Sequence, residues 1–434
     1  MSGLKTSPMR WVPSLYFVQG MQFFVVMLIA GLMFKSMGIP NDQIARWTGV
    51  LGLAWAFKPL WSPFLELARS KKLIVVVMQF TGSVGLALMA LALQLPNYFA
   101  VSIAVLFLLA YASATHDIAC DGLYMASLDD RQQAAYAGWQ GAFFNASKFL
   151  TLGGLLVLAG YLQRQVGVFN AWSCIYLLLA ALLALLASYN AWSLPGTLNT
   201  AHTDLHAASV LKTLAEVVRA FLAKPGIWLA ILFIVLFRFA EGQVQTIGPL
   251  FLIEARAKGG LGLTTEQVGG IYGTVGTAAF LVGSIAGGYF TSLLSLKRAM
   301  PFLIVAMAVP NVVFYFLSTL LPTDMVEIGF AVALEMSGYG FGFVGMILYI
   351  MQAVAPGPYQ TAHYALGSGV MQLGFILSKT ISGDIQVAMG YPHFFLWTIA
   401  CGVPALVLMF FVRMPGKVKP EGMAVAAAEG VAGA

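Results

Sequence analysis

Twelve stretches of about twenty apolar residues follow one another along this chain, and that repetition limits the fold more than anything else in it. They are Trp11–Phe34, Ala45–Leu65, Leu73–Leu93, Phe99–Met125, Ala135–Leu162, Ala171–Trp192, Ile227–Ile253, Val268–Leu294, Pro301–Leu320, Val326–Met351, Ala362–Val387 and Phe394–Val412. A hydrocarbon layer offers backbone N–H and C=O groups no partner, so a stretch that crosses it must satisfy them internally as a helix. The expectation is therefore an all-α membrane protein. Charge agrees: 9% of the 434 residues are charged, against about 25% in a soluble domain. The net charge of +6 would point to nucleic acid on a soluble chain. Here the basic residues lie in short connections, so no nucleic-acid partner is expected. Cys120, Cys174 and Cys401 fall in apolar stretches without metal-site or disulfide spacing. Neither a metal nor a cofactor is expected. The first stretch is too long for a signal peptide and has no convincing cleavage site, so it is expected to stay as a span.

Most connections are short, and the exception divides the chain. Between Ser193 and Gly226, Leu205, Leu211, Leu214, Val217, Val218 and Phe221 recur at helical spacing beside Lys212, Arg219 and Lys224. That pattern predicts an amphipathic helix on the membrane surface. The expected division is a six-helix bundle over 1–193, a linker over 194–226, a second six-helix bundle over 227–413 and a disordered tail over 414–434. With the amino terminus inside, fourteen of the 23 Lys and Arg fall on cytoplasmic connections and five on outside ones. Both termini are therefore expected in the cytoplasm. The halves also look alike. Ala135-Tyr136-Ala137 and Ser147-Lys148 in the fifth stretch match His363-Tyr364-Ala365 and Ser378-Lys379 in the eleventh. Pseudo-twofold halves with a site between them are a transporter signature. The eighth stretch holds Gly269, Gly273, Gly283 and Gly287, spaced either for static close packing or for faces that slide.

Two strings mislead. Gly340-Phe341-Gly342-Phe343-Val344-Gly345 matches a dinucleotide fingerprint, and Gly374 to Thr380 resembles a phosphate loop. Both lie inside apolar spans with no preceding strand. No catalytic constellation is found, and an enzyme is not expected.

The ionisable residues inside spans are few, and they are the functional candidates. The first half has Lys58, His116, Asp117, Asp121 and Lys148; the second has Arg238, Glu241, Glu335, Lys379 and Asp384. Lys58 and Asp117 lie at similar depth, about 10 Å from the cytoplasmic ends of their helices, and could pair. Arg238 and Glu241 share a helix face. Asp384 is near a helix end and reads as solvated. Such pairs could be structural bridges. They could also couple protons: a carboxylate that loses its cation as the site opens binds a proton. On this reading Asp117, Asp121, Glu241 and Glu335 carry protons, and Lys58 with Asp117 forms a gate. Lys148, Arg238 and Lys379 would attract an anionic substrate. Tyr16, Gln19, Gln22, Gln140, Asn145 and Gln243 would supply substrate hydrogen bonds, or serve as interhelical glue.

Several blocks resemble a known family: Tyr16-Phe17-Val18-Gln19-Gly20, Lys58-Pro59-Leu60-Trp61-Ser62-Pro63, Ala114 to Gly122 around Asp117 and Asp121, and His363-Tyr364-Ala365. They resemble the AmpG-like muropeptide permeases, in the peptide/acetyl-coenzyme A transporter branch of the major facilitator superfamily. The resemblance implies the major facilitator fold, with twelve transmembrane helices in two bundles. It further implies proton-driven import of anhydro-muropeptides across a bacterial inner membrane by a monomer, with Trp61 beside the Lys58 gate. It matches Asp117, Asp121, Glu241 and Glu335 to acidic positions, and Lys58 and Arg238 to basic ones. The chain departs from the pattern at Gln19, where an acid is usual, and at Gln22, where a proline is usual. Lys148 stands one turn beyond an expected basic position, and Lys379 replaces a small residue. The same branch includes importers of siderophores and of acetyl-coenzyme A, so those substrates stay open.

Overall fold

The computed structural model describes residues 7–414, apart from 59, 62–64, 66–69, 129, 197–206 and 358. Ten helical stretches in it are long and apolar enough to cross a membrane, and the described residues form no strand. In chain order these stretches are Pro8–Ser36, Lys71–Ala92, Tyr98–Ser127, Trp139–Val166, Val168–Ser193, Ile227–Ile253, Thr265–Thr291, Leu296–Leu320, Met325–Val354 and Ala362–Leu408. The last merges the expected eleventh and twelfth spans, which meet at Gly390 without a loop. Its φ of 73° and ψ of 165° suit only glycine. The expected second span is present as Asn41–Leu51 and Leu53–Ala56. The rest of it falls partly outside the described residues, as does the expected tail. Spans are numbered below by their expected order.

Local chemistry sets several helix starts. Ser70 accepts the Leu73 N–H, and Asp324 accepts the Val326 N–H. Thr264 and Gln267 form a reciprocal capping box at the eighth span. Gly167, with φ 81°, joins the fifth span to the sixth in one residue.

The two halves repeat one crossing. Gly20 of the first span lies against Ser147 and Phe144 of the fifth; Gly242 of the seventh lies against Ser378 and Phe375 of the eleventh. In each, the serine hydroxyl donates to the carbonyl three residues back, at 2.6 and 2.8 Å. A side chain in place of either glycine would collide with the serine. The residue after each serine is a lysine, and both lysines point at the other half.

The halves meet chiefly toward the end of the bundle opposite the chain termini, here the far face. Lys35 pairs with Glu254, Arg164 with Glu266, and Arg46 Nη2 with Asp384 Oδ1 at 2.7 Å. Asp384, expected to be solvated, is thus half-exposed and ion-paired. Asn41 Nδ2 donates to Gln386 Oε1 and to the Tyr391 hydroxyl, both at 2.8 Å. Below these, two π-helical turns face each other, Phe149–Leu155 of the fifth span and Gly269–Gly276 of the eighth. Gly273 sits on the Leu152 carbonyl with no space for a Cβ. The glycine-rich eighth span thus has two uses. Gly269 and Gly273 admit the other half, while Gly283 and Gly287 admit the tenth span at Ser337 and Phe341.

The linker helix, Ala207–Leu222, does more than cover a surface. Val217 and Phe221 are buried, and the Phe221 ring lies 5.6 Å from that of His363 at the start of the eleventh span. Just beyond it, Lys224 Nζ donates to the carbonyls of Val354, Ala355 and Pro356 at 2.5, 3.2 and 2.9 Å. A cation there satisfies the orphan acceptors at the end of the tenth span. The linker is therefore fastened to the second half.

The facing glycines yield a measurable expectation. Gly273→Val should lower the thermal unfolding midpoint through overpacking of about 1–3 kcal/mol. Gly270→Val, where a Cβ would meet open space, should stay close to wild type in the same melt. Equal midpoints for the two variants would contradict the packing described.

Candidate functional site

Polar side chains gather at two levels. The first level lies in the first half. Lys58 forms an ion pair with Asp117, and Gln19 Nε2 donates to the other oxygen of the same carboxylate. Asp117 is ten residues from the end of its helix at Ser127, so about 15 Å along it. Both neighbours reach it from other helices, so three spans converge on one carboxylate. One turn on, Asp121 Oδ1 accepts the Tyr16 hydroxyl at 3.0 Å, and that hydroxyl accepts Gln140 Nε2 at 2.8 Å. Asp121 itself is exposed. The Trp61 ring lies 5.6 Å from that of Tyr111, tilted by 42°.

Behind this level runs a chain the sequence did not suggest. Ser14 donates to Asn190 Oδ1 at 2.7 Å, Asn190 Nδ2 to Gln79 Oε1 at 3.1 Å, and Gln79 Nε2 lies 2.9 Å from His116 Nε2. Its four residues come from four helices. His116 is fully buried in it, in contact with Gln79 and Cys120, so the imidazole beside the aspartates belongs to packing.

The second level lies between the halves. Glu241, near the middle of the seventh span, is completely buried, and neither carboxylate oxygen accepts a hydrogen bond among the described residues. Glu335 of the tenth span is also buried. Its Oε1 accepts Gln245 Nε2 at 3.2 Å, and its Oε2 has no hydrogen-bond partner among the described residues. Gln245 Oε1 in turn accepts the Tyr272 hydroxyl at 2.7 Å. Lys148 reaches this level from the first half. Its ammonium lies 4.7 Å from the Phe280 ring centre and 5.7 Å from that of Phe24, with the charges of Glu335 and Glu241 in electrostatic reach.

The expected partnership of Arg238 with Glu241 is not a contact pair. Arg238 Nη1 donates to the Tyr339 hydroxyl at 3.3 Å, and its guanidinium lies 4.7 Å from the Phe375 ring and 4.8 Å from the Phe343 ring. Sharing a helix face did not bring the groups together, because the aromatic residues of two neighbouring helices take the planar guanidinium. Lys379 also has a fixed use: its Nζ donates to the Met27 carbonyl at 2.8 Å. Met27 lies in the π-helical turn Val25–Ile29, where the regular ladder is interrupted. Between Lys379, Gln245, Tyr272, Thr48 and Leu152 is a cavity of about 20 Å³, room for about one water.

Of the amides, Gln19 and Gln140 join the first level. Gln22 lies against Gly82 of the third span, inside the first half. Gln243 accepts Trp397 Nε1 at 3.0 Å and donates to the Phe239 carbonyl at 3.1 Å. Asn145 Nδ2 donates to the Gly141 carbonyl at 2.9 Å. These three serve helix packing in this arrangement. The far-face residues Lys35, Asn41 and Glu254 were not expected. Their signal was the matching position of Lys35 and Glu254, at the ends of the first and seventh spans.

Comparison with known proteins places this geometry. The family model described as Major Facilitator Superfamily matches residues 14–383. The anhydromuropeptide permease of Escherichia coli (strain K12) is 25% identical over 378 residues, covering 84% of this chain and 71% of the relative. Putative transporter AmpG 4 of Rickettsia felis is 22% identical over 409 residues, covering 91% of this chain and 94% of the relative. Among solved structures, the nucleoside transporter NupG superposes with a TM-score of 0.66 at 17% identity, over 92% of this chain and 96% of that one. A proton-dependent oligopeptide transporter structure gives 0.64 at 13% identity, over 92% and 97%. Likeness at these identities speaks for the fold alone.

The Lys58–Asp117 pair can be tested for its structural share. Lys58→Ala and Asp117→Ala should each lower the unfolding midpoint, because each strands a charge. The double variant should recover part of the loss, with a coupling energy of about 1 kcal/mol or more. Additive losses would show that the pair does not hold the helices together.

Proposed function

We propose that this chain, which belongs to the Major Facilitator Superfamily, is a proton-coupled importer of anhydro-muropeptides. Transport is the activity of the superfamily and of the relatives; the substrate, the proton and the direction are our reading. On it, two six-helix bundles, 1–193 and 227–413, rock about a central site in a bacterial inner membrane, with both termini in the cytoplasm. The far face is then the periplasmic side.

One observation supports the coupling above all others. The buried acids Glu241 and Glu335 belong to the second half, and Lys148, a cation that helps to neutralise them, belongs to the first. Rocking separates the halves, so it changes the charge balance at those acids. A buried carboxylate that loses its cation recovers neutrality by binding a proton. Asp117, held by Lys58 and Gln19, offers a second acid, nearer the terminal face, with Asp121 beyond it. Proton binding and release at the two levels give an alternating cycle in which substrate and proton move together. The substrate assignment draws on the similarity to the anhydromuropeptide permease over most of both chains. It also draws on the amides and cations at the first and second levels, which suit a polar, anionic glycopeptide.

Purified protein in liposomes with an imposed pH gradient checks this. Anhydro-muropeptide should accumulate with the gradient and stop when a protonophore collapses it. A ferric siderophore and acetyl-coenzyme A should not accumulate; accumulation of either instead would replace the substrate. Asp117→Asn and Glu241→Gln should each reduce gradient-driven uptake at least about tenfold while the protein stays folded. Undiminished uptake in both variants would remove the coupling role.

A further inference from the structure

Ser147-Lys148 and Ser378-Lys379 occupy the same place in the two halves, yet their lysines have different fates. Each serine packs on a glycine of its own half, and each lysine is directed across the interface. Lys379 is committed, its ammonium donating to the Met27 carbonyl. Lys148 is not. It is 8% exposed, its nearest described company is two phenyl rings, and it makes no hydrogen bond or ion pair among the described residues. An ammonium held in that state lacks the partner its burial demands. Its described surroundings come from both halves. Phe24 comes from the first span and Phe280 from the eighth. Glu241 and Glu335, from the seventh and tenth, act on it only at a distance. Arg238 bears on Glu241, Gln245 bonds to Glu335, and Tyr272 stands beside both acids. So a cation of one half, Lys148, and an acid of the other, Glu241, are both buried, and among the described residues neither makes a hydrogen bond of normal geometry, though Gln245 stands near Glu241.

We infer that Lys148 is the receptor for a carboxylate of the substrate, and that this pairing is what ties substrate binding to proton binding. The inference rests on the transport reading above and adds the chemical group that the site recognises. A substrate carboxylate offers Lys148 the charge-assisted hydrogen bond it lacks. Once the ammonium is claimed, Glu335 loses the cation that acts on it and Glu241 keeps only Arg238, so the pair of acids is left one positive charge short and a proton restores the balance. Carboxylate and proton thus bind together. Neither is bound tightly alone, which is what symport requires. The rings of Phe24 and Phe280 flank the ammonium and offer it no hydrogen-bond acceptor. Lys379, fastened to its carbonyl, cannot take this role.

The probes are an anhydro-muropeptide with free peptide carboxylates and the same compound with those carboxylates converted to amides. Binding to the detergent-purified full chain is followed by calorimetry in two buffers of different protonation enthalpy. Wild type should bind the acid form at least about tenfold more tightly than the amide, the size of one charge-assisted hydrogen bond. The acid form should also take up a proton on binding, and the amide should not. Lys148→Met should erase the difference between the two probes, and Lys148→Arg should keep it. Equal affinity of wild type for both probes would overturn the carboxylate assignment and leave the muropeptide reading standing. A preference that survives in Lys148→Met would move the receptor elsewhere. Binding of the acid form without proton uptake would break the proposed tie. If wild type bound neither probe, the muropeptide reading would fall and the assignment with it. The comparison of two probes on wild type needs no variant, so it holds even if Lys148→Met does not fold.

Discussion

An ionised side chain withdrawn from water has to be answered by opposite charge or by donors, and in this protein the answers are distributed unevenly between two halves. Asp117 is answered within the first half, by Lys58 and Gln19. Arg238 is answered within the second, by Tyr339 and two phenyl rings. Glu335 and Lys148 are the exception, since each is answered across the interface, and Glu241 is answered from both sides, by Arg238 of its own helix and by Lys148 of the other half. Groups answered locally can keep their state whatever the halves do. Groups answered from the other half cannot. That difference separates residues that hold the bundle from residues that can report its conformation.

The same logic explains why the repeat is imperfect. The crossing of Gly20 with Ser147 and that of Gly242 with Ser378 are one device used twice. By position, Gln19 before the first glycine corresponds to Glu241 before the second. The first half thus carries an amide where the second carries an acid, and the amide serves as a donor to Asp117. A symmetric pair of acids would place like charges at two equivalent sites with nothing to distinguish them. The substitution lets one half supply the acid and the other supply the cation.

Much of this could be read from the chain, and the limits have a physical cause. The helices were legible because lipid leaves the backbone a single solution. The Lys58–Asp117 pair was legible because depth along a helix follows from counting residues, and few charges share a level. Orientation around the helix axis was not legible. Gln22 and Gln243 are at useful depths yet turn into their own halves, toward Gly82 and Trp397. Arg238 shares a face with Glu241 but is drawn off by rings on neighbouring helices. The far-face contacts of Lys35 and Asn41 depend on how the halves approach, which no periodicity within one span encodes. The helix boundary at Gly390 was blurred for a different reason: a single glycine replaces a loop, and the chain does not announce the turn with a polar run.

The closed far face and the central acids belong to one arrangement. Three cross-half ion pairs and the Asn41 hydrogen bonds form an outer layer. The facing π-helical turns and Gly273 form a tight layer beneath it. Next come Lys379 on the Met27 carbonyl and a cavity no larger than about one water. Gln245 and Tyr272 line that cavity, and Gln245 also bonds Glu335. The route from the far face to the acids is thus sealed by side chains that themselves touch the acids' network. To open that route the halves must part at the far face, which removes the Arg164, Arg46 and Lys35 pairs and also withdraws Lys148 from Glu335 and Glu241. On the proposed reading, access from that side and withdrawal of Lys148 from the acids are one movement. On the same reading, a proton arriving by the opened route meets Glu335 and Glu241 with Lys148 withdrawn and only Arg238 still beside Glu241, so gate and site are linked by the packing itself.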